Sequence, residues 1–199
     1  MALEEADLGP DPFAAFRAWW DDAVGAGQPE PEAAALATAT GQGRSSVRFV
    51  LIREFDERGF VFYTNGRSRK GVEIAATGWA SLAFRWVVVG RQVRAAGTVG
   101  RLSSKESDRY FAGRPRESQL GAWASLQSEE LESRAELDRR FALANARFEG
   151  AAVPRPPWWG GFRIEPVEIE FWQQGAFRLH DRLRYTLEGA RWTLRRLHP

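Results

Sequence analysis

Two β-rich runs that fold back on themselves about short turns constrain this chain more than any other feature. Val47–Phe55 reads as a strand, Asp56-Glu-Arg-Gly59 as a turn and Phe60–Thr64 as the return strand of a hairpin. Ala80–Val89 and Gln92–Leu102 repeat the pattern about Gly90. Strands linked by so few residues must pair antiparallel, because a parallel pair needs a long crossover. Ala33–Thr40, turned at Gly41-Gln-Gly43, reads as another strand, and strands over 162–172, 178–187 and 191–197 complete the chain. Gly41-Gln-Gly-Arg-Ser-Ser46 faintly echoes a dinucleotide loop, but it precedes a strand rather than a helix, which rejects that reading.

Helices fill the gaps. Asp11-Pro12 opens one that carries Phe13, Phe16, Trp20 and Val24 at helical spacing, and Gly25 to Pro31 ends it. Ser68 to Ala76 forms a short helix, with Ser68 as N-cap and Gly78 closing it. Lys105–Ala112, Glu117–Ser125 and the long Glu129–Glu149 follow as a helical insert, and Val153 to Gly161 is an irregular connector. The pattern predicts a mainly β, α+β fold: a small antiparallel β-barrel with peripheral helices. The organisation is an acidic tail over 1–11 and one domain over 12–199.

Composition removes several kinds of chemistry. No cysteine is present, so disulfides, thiolate nucleophiles and Cys-ligated metals are excluded. The two histidines, His180 and His198, are too few and too far apart for a His-based metal site, so no metal is expected. Nine Trp in 199 residues point to ring-stacking surfaces or a large subunit interface. Lys70 and Lys105 are the only lysines among 28 basic residues; the rest are arginine, whose planar fork suits phosphate and carboxylate. The net charge is only +2 and no basic block appears, so a nucleic-acid partner is not expected. Met1 to Asp11 lacks a basic and an apolar signal region, and no apolar run reaches the ~20 residues of a membrane span. A cytoplasmic protein without a membrane partner is the expectation.

The chemistry-bearing residues are anion binders. Read as a strand, the segment from 178 puts Arg178, His180 and Arg182 on one face, with Leu179, Leu183 and Tyr185 on the other and Trp172 just upstream. Three potential cations in a row call for an anion opposite, or else for a solvated outer face. Arg48 and Arg53, five apart, face opposite sides of a regular strand and so touch different groups, unless they are ordinary strand-end charges. Tyr63-Thr64-Asn65 leads into Ser68-Arg-Lys-Gly71, where two cations at a helix start make either an anion site or a plain capped helix. Gln92 and Arg94 share a strand face, and Ser128 of Gln127-Ser128 could cap the long helix or donate to phosphate. Tyr110, Arg114 and Ser118 follow one another by four, interrupted by the helix breaker Pro115. No nucleophile–base pair or carboxylate pair accompanies them, which points to chemistry carried by a borrowed cofactor.

These motifs together resemble the pyridoxine/pyridoxamine 5′-phosphate oxidases, flavin enzymes with a split-barrel fold that work as homodimers. The resemblance rests on Arg48–Arg53, Phe62-Tyr-Thr-Asn65, Ser68-Arg-Lys-Gly71, Arg91-Gln-Val93 and Tyr110-Phe-x-x-Arg-Pro-x-x-Ser-Gln119. Gly121-Ala-Trp-Ala-Ser-x-Gln-Ser128, Trp159-Gly-Gly161, Ile169-Glu-Phe-Trp-Gln173, Arg178-Leu-His-Asp-Arg182 and Arg196-Leu-x-Pro199 complete it, over Pro12 to Pro199. It implies an antiparallel split β-barrel with FMN at a homodimer interface. FMN would be held by Arg48, Val50, Leu51, Tyr63, Thr64 and Arg69. Lys70, Gln92, Gln127, Ser128, Trp172 and Arg182 would complete that set, drawn from both subunits. Arg53, Tyr110, Arg114 and Ser118 would meet the substrate phosphate, with Arg178 and His180 over the pyridine ring as the catalytic pair. The implied reaction oxidises pyridoxamine or pyridoxine 5′-phosphate to pyridoxal 5′-phosphate by hydride transfer from C4′ to flavin N5, O₂ becoming H₂O₂. Two departures stand out: Arg at 53 where these oxidases usually carry Lys, and a short acidic N-terminus where many members have a basic-aromatic lid. Both features are shared with FMN oxidases of phenazine biosynthesis, the alternative reading beside a non-catalytic flavin-binding protein.

Overall fold

The computed structural model describes residues 2–199; Met1, the first residue of the expected acidic tail, lies outside the described residues. In chain order the elements begin with α1 (Glu5–Leu8), α2 (Pro12–Gly25), β1 (Ala33–Ala39), β2 (Ser45–Leu51), β3 (Glu54–Asp56) and β4 (Gly59–Asn65). Then come α3 (Arg69–Thr77), β5 (Trp79–Trp86), β6 (Arg91–Arg101) and the helical insert α4 (Ser104–Ala112), α5 (Arg116–Ala124) and α6 (Arg134–Arg147). The long β7 (Trp159–Gln173), β8 (Asp181–Glu188) and β9 (Arg191–Arg196) finish the chain.

The strands form one antiparallel sheet in the order β2-β1-β5-β6-β7-β4-β3, and β8 joins β7 with β9 beyond it. The two ends of that order, β2 and β3, are neighbours in sequence, and this continuity curls the sheet into a barrel. At the corner Ile52 N–H donates to Glu32 O at 2.9 Å while Arg53 N–H donates to Val61 O at 2.8 Å, so consecutive residues bond opposite walls. The expected Val47–Phe55 strand is therefore broken at Ile52–Arg53. Its first part pairs with β1, and only Glu54–Asp56 makes the hairpin with β4. Beyond Ile164, the β4 side of β7 is taken over by β8, which splits the barrel there.

Helix α2 plugs the barrel. Asp11 accepts from Phe13 N–H at 2.9 Å and Pro12 occupies the first turn, the capping that the sequence predicts. Its buried stripe is Ala15, Phe16, Trp19 and Ala23; Val24, expected inside, is half exposed. Phe16 is fully buried, with the rings of Phe55, Phe60, Phe84 and Trp86 centred 4.8 to 5.6 Å away. Much of the aromatic excess is thus consumed in this core. Leu3 and Leu8 join the same core, so the acidic N-terminal segment is packed rather than free.

Two helix boundaries differ from expectation. The long helix starts at Arg134 and not at Glu129, because Ser133, whose Oγ accepts from Glu136 N–H at 3.2 Å, is its cap. Ser128, at φ 77°, caps nothing. Strand β7 begins at Trp159, so Trp159-Gly-Gly161 belongs to the sheet rather than to the connector. Pro115 does part α4 from α5, as predicted, and Gly78 closes α3 in the left-handed conformation.

Candidate functional site

One groove of about 670 Å³ lies over β2, the end of β4 and the start of α3, walled by the helical insert. Among its lining are Arg48, Val50, Leu51, Arg53, Tyr63 and Thr64 from the strands. Arg69, Lys70, Tyr110, Arg114, Gln127 and Ser128 line it from the helices and loops. Twelve of the eighteen expected site residues thus converge here in one protomer. Trp159 lines it too, stacking at 5.6 Å on Tyr63, which in turn lies 3.7 Å from Tyr110 with the rings almost parallel. The break at Ile52–Arg53 corrects one expectation: Arg48 and Arg53 line the same groove, although they do touch different groups. Arg48 bonds Thr38 and Leu36 O, whereas Arg53 faces Glu32 at 3.9 Å.

The groove holds two cations, Lys70 and Arg114, that no carboxylate among the described residues neutralises. Lys70 is 7% exposed, and its Nζ reaches only hydroxyls, Thr64 Oγ1 at 3.3 Å and Ser68 Oγ at 3.4 Å. Burial, and then the charge of Arg48, pulls its pKa below the ordinary lysine value. Ser68 is the first residue outside α3, but its hydroxyl donates to Asn65 O at 2.7 Å instead of capping. Gly71 allows this tight start: a Cβ there would sit 2.4 Å from Gly66 O. The second cation is Arg114, in the break between α4 and α5. Its guanidinium lies 4.7 Å over the Trp159 ring, and its buried NH1 has no hydrogen-bond partner. Burial depresses its proton affinity, Tyr110 works the other way, and the charge of Arg53 adds to the depression. Buried polar groups are nearly always paired, so the unpartnered NH1 of this groove-lining arginine makes a candidate anion seat.

Behind Arg48 and Arg69 lies Glu73, 3% exposed. It accepts from Ser46 Oγ at 2.6 Å, Arg69 Nε at 2.9 Å and Arg48 NH2 at 3.4 Å, and it forms a short bond with Thr38 Oγ1. Burial opposes its charge, but these hydrogen bonds outweigh burial and hold the carboxyl at about 2.

The remaining expected residues lie elsewhere. Ser118, in the first turn of α5, is half-buried and is not part of the groove lining. Gln92, Trp172 and Arg182 sit side by side across β6, β7 and β8. Eleven residues of β7 separate Trp172 from Gly161, the partner of Tyr63; at ~3.3 Å each this is about 36 Å of strand. Arg182 is held by Glu170, 2.9 Å from Nε, and donates through NH1 to His198 O at 3.0 Å. Glu170, 2% exposed, is also bonded by Arg94, and so is the anion opposite Arg182 alone of the expected row of cations.

The strand expected from 178 begins only at Asp181, so Arg178 and His180 do not share a face with Arg182 by alternation. Ala176–Arg178 is a single 3₁₀ turn in which Phe177 and Arg178 both have positive φ, 55° and 64°. Gly175 N–H donates to His180 Nδ1 at 3.2 Å, and the His180 ring rests 4.5 Å from Trp172. Leu179, expected on one face with Leu183, is 68% exposed whereas Leu183 is buried, and Phe177 is 94% exposed. Glu73 and Glu170 were missed from the sequence. Glu73 had a signal, its i,i+4 spacing from Arg69; its bonds to Thr38 and Ser46 come from pairing across β1 and β2.

Comparison with known proteins places this geometry. Residues 21–158 match the family model described as pyridoxamine 5′-phosphate oxidase, and residues 159–199 match the pyridoxine 5′-phosphate oxidase C-terminal dimerisation region. A protein of Rubrobacter xylanophilus named pyridoxine/pyridoxamine 5′-phosphate oxidase is 57% identical over 99% of this chain and 91% of its own length. One of the same name from Gloeothece citriformis is 52% identical over 99% of this chain and 92% of its own length. Among solved structures, PhzG from Burkholderia lata in complex with tetrahydrophenazine-1-carboxylic acid superposes with a TM-score of 0.93. It is 40% identical, over 100% of this chain and 98% of that one. Site motifs, split sheet and relatives agree: the chain belongs to the pyridoxine/pyridoxamine 5′-phosphate oxidase family.

Proposed function

We propose that this chain is an FMN-dependent oxidase of pyridoxamine 5′-phosphate and pyridoxine 5′-phosphate, yielding pyridoxal 5′-phosphate with O₂ as electron acceptor and H₂O₂ as co-product. The carrying observation is one groove with two separately placed, unneutralised cations, Lys70 and Arg114. Two anion seats suit two phosphate-bearing molecules, a cofactor and a substrate. Arg48, Arg69 and Lys70, with Thr64, Gln127 and Ser128, would hold the FMN phosphate end, flanked by Val50, Leu51 and Tyr63. Arg114, Tyr110 and Arg53 would take the substrate phosphate, with Ser118 at their edge.

Bound FMN supplies the two-electron acceptor for oxidation at C4′ and the onward route to O₂. The chain's own work is orientation and electrostatics. The hydrogen bond from Gly175 N–H makes His180 Nδ1 an acceptor, which leaves the proton of the neutral ring on Nε2, free to face the substrate. Arg178, lifted by its positive-φ turn, would cover the pyridine ring beside it.

The protein works as a homodimer in this reading. Gln92, Trp172, Arg178, His180 and Arg182 lie at the far end of β7 from the groove and would complete the site across a two-fold axis. The exposed apolar side chains of Val47 and Phe49 on β2, and of Phe177 and Leu179 on the turn, suit such an interface. The dimerisation region matched over 159–199 contains the whole of that turn.

Aerobic turnover of pyridoxamine 5′-phosphate by the FMN-loaded protein tests the proposal, with pyridoxal 5′-phosphate and H₂O₂ both measured. Stoichiometric formation of the two supports it. A yellow, dimeric protein inert to both B6 phosphates favours a second reading, oxidation of a reduced tricyclic acid. Arg53 and the likeness to PhzG speak for that reading. A yellow protein that turns over neither class is a flavin-binding module.

A further inference from the structure

We propose that Glu73 is the positioning residue of the inner anion seat, fixing the heads of Arg48 and Arg69 for a phosphate monoester. The inference rests on the reading of that seat as the FMN phosphate site, and it concerns a residue that does not itself line the groove.

Every group around the Glu73 carboxylate is a donor. Oε2 receives the Thr38 and Ser46 hydroxyls and Arg48 NH2, and Oε1 receives Arg69 Nε. The two hydroxyls are relays: each also accepts from Arg48, Thr38 from NH1 and Ser46 from NH2. Arg48 is thereby held on both arms, with Leu36 O as a further acceptor. Arg69 is different: its side chain is 61% exposed, and Glu73 is its only ion-pair partner among the described residues. A long, exposed arginine without that anchor would lose its orientation toward the groove.

The chemistry of the pocket leaves no substitute for a carboxylate. Glutamine has the same shape but presents an oxygen on one arm and an NH₂ on the other. If its oxygen meets the hydroxyls, the NH₂ faces the N–H of Arg69. If the NH₂ meets the hydroxyls, it also faces Arg48 NH2, and the hydroxyl hydrogens lose their acceptor. Either way donor faces donor, and one of the two arginines is displaced. Glu73 also balances the charge of Arg48 and Arg69 before a ligand arrives. Its removal would therefore ease the approach of an anion even as it frees the arginines. Orientation dominates here, because the carboxylate lies behind the guanidinium heads and each head screens it from the groove.

Flavin titration separates positioning from a general structural role. FMN and riboflavin differ only by the phosphate, so the ratio of their affinities reads the seat alone. On flavin-free protein followed by flavin fluorescence, Glu73→Gln should lower the FMN-to-riboflavin ratio about tenfold, the worth of one weak charge-assisted hydrogen bond. Riboflavin affinity should stay as in the unaltered protein. Glu73→Asp keeps two acceptor oxygens one methylene short and should fall between the two, which provides the reading if Glu73→Gln does not fold. An unchanged ratio, or an equal loss of both flavins, overturns the proposal. If the unaltered protein rejects FMN, the flavin reading fails, and calorimetric titration with inorganic phosphate reads the seat instead. Weaker phosphate binding by the variant then upholds the role of Glu73, and equal binding refutes it.

Discussion

Arg114→Met should move ligand binding and stability in opposite directions. In the ligand-free protein the Arg114 guanidinium is half-buried, its NH1 lacks a partner, and Arg53 stands near enough to disfavour its charge. Methionine keeps the apolar stem over Trp159 and removes the unpaired donor. What is lost is the cation–π contact with the buried Trp159 ring, worth about 0.5–2 kcal/mol. What is removed is an unsatisfied buried donor, whose burial costs about 1–3 kcal/mol. The melting temperature should therefore hold or rise. The ligand side has the opposite sign: one charge-assisted hydrogen bond to phosphate is worth about 1.5–3 kcal/mol, or roughly 10- to 150-fold in affinity. The phosphate is remote from the reacting carbon, so this loss should appear in KM and leave kcat nearly unchanged. Steady-state oxidation of pyridoxamine 5′-phosphate and a thermal melt of the flavin-free variant make the pair of measurements. A variant that melts well below the unaltered protein and keeps its KM would refute the reasoning, since Arg114 would then be a structural cation.

Three further outcomes follow from the same geometry. Phe49→Glu, at a side chain 77% exposed on β2, should leave the fold intact but convert the dimer to a monomer that retains little FMN; light scattering that still gives a dimer removes β2 from the interface. Lys70 has a native pKa below its ordinary value, so between the two the unfolded chain binds more protons and stability rises with pH. Tyr63 and Tyr185, both raised mainly by burial, slope the other way above about pH 10, so the quantity to measure is the difference in denaturation midpoint from Lys70→Met. That difference should shrink as pH climbs toward the lysine range, and a constant difference contradicts the burial of an unneutralised ammonium. Gly71→Ala would push a methyl to 2.4 Å from Gly66 O; it should destabilise the chain by about 1–3 kcal/mol in chemical denaturation and loosen FMN with it.

The sequence made the barrel legible because hairpins are local: the turn at Gly59 and the strands around Gly90 declare their own pairing. It hid the partner of β2. Val47–Phe55 carries a continuous β signal, and nothing in alternation alone marks Ile52–Arg53 as the corner where one residue bonds β1 and the next bonds β4. The same blindness misplaced Arg178 and His180. Their alternation with Arg182 is real in the sequence, but Phe177 and Arg178 adopt positive φ, a conformation that no side-chain pattern announces. Motif-bearing residues fared better, since Arg48, Arg69, Lys70, Tyr110 and Arg114 do converge on one groove. Glu73, which holds Arg48 and Arg69, showed only its i,i+4 spacing from Arg69, for a physical reason: a buried Glu looks like any other acidic residue until its donors are known.

The length of β7 gives these pieces a common cause. Fifteen residues allow one strand to hold the groove at one end, where Tyr63 pairs with Gly161, and the Trp172–Arg182 row at the other. Such a strand cannot bend far enough to bring its own two ends together, because its middle is fixed along its whole length by β6. Phe177 and Arg178 are held in a sparsely populated conformation while their side chains are exposed. In the proposed homodimer the far end of each β7 would face the groove of the other, which would account for both facts. The exposed turn and the unneutralised groove are on this view the two halves of one site, and oligomeric state and catalytic competence should be lost together.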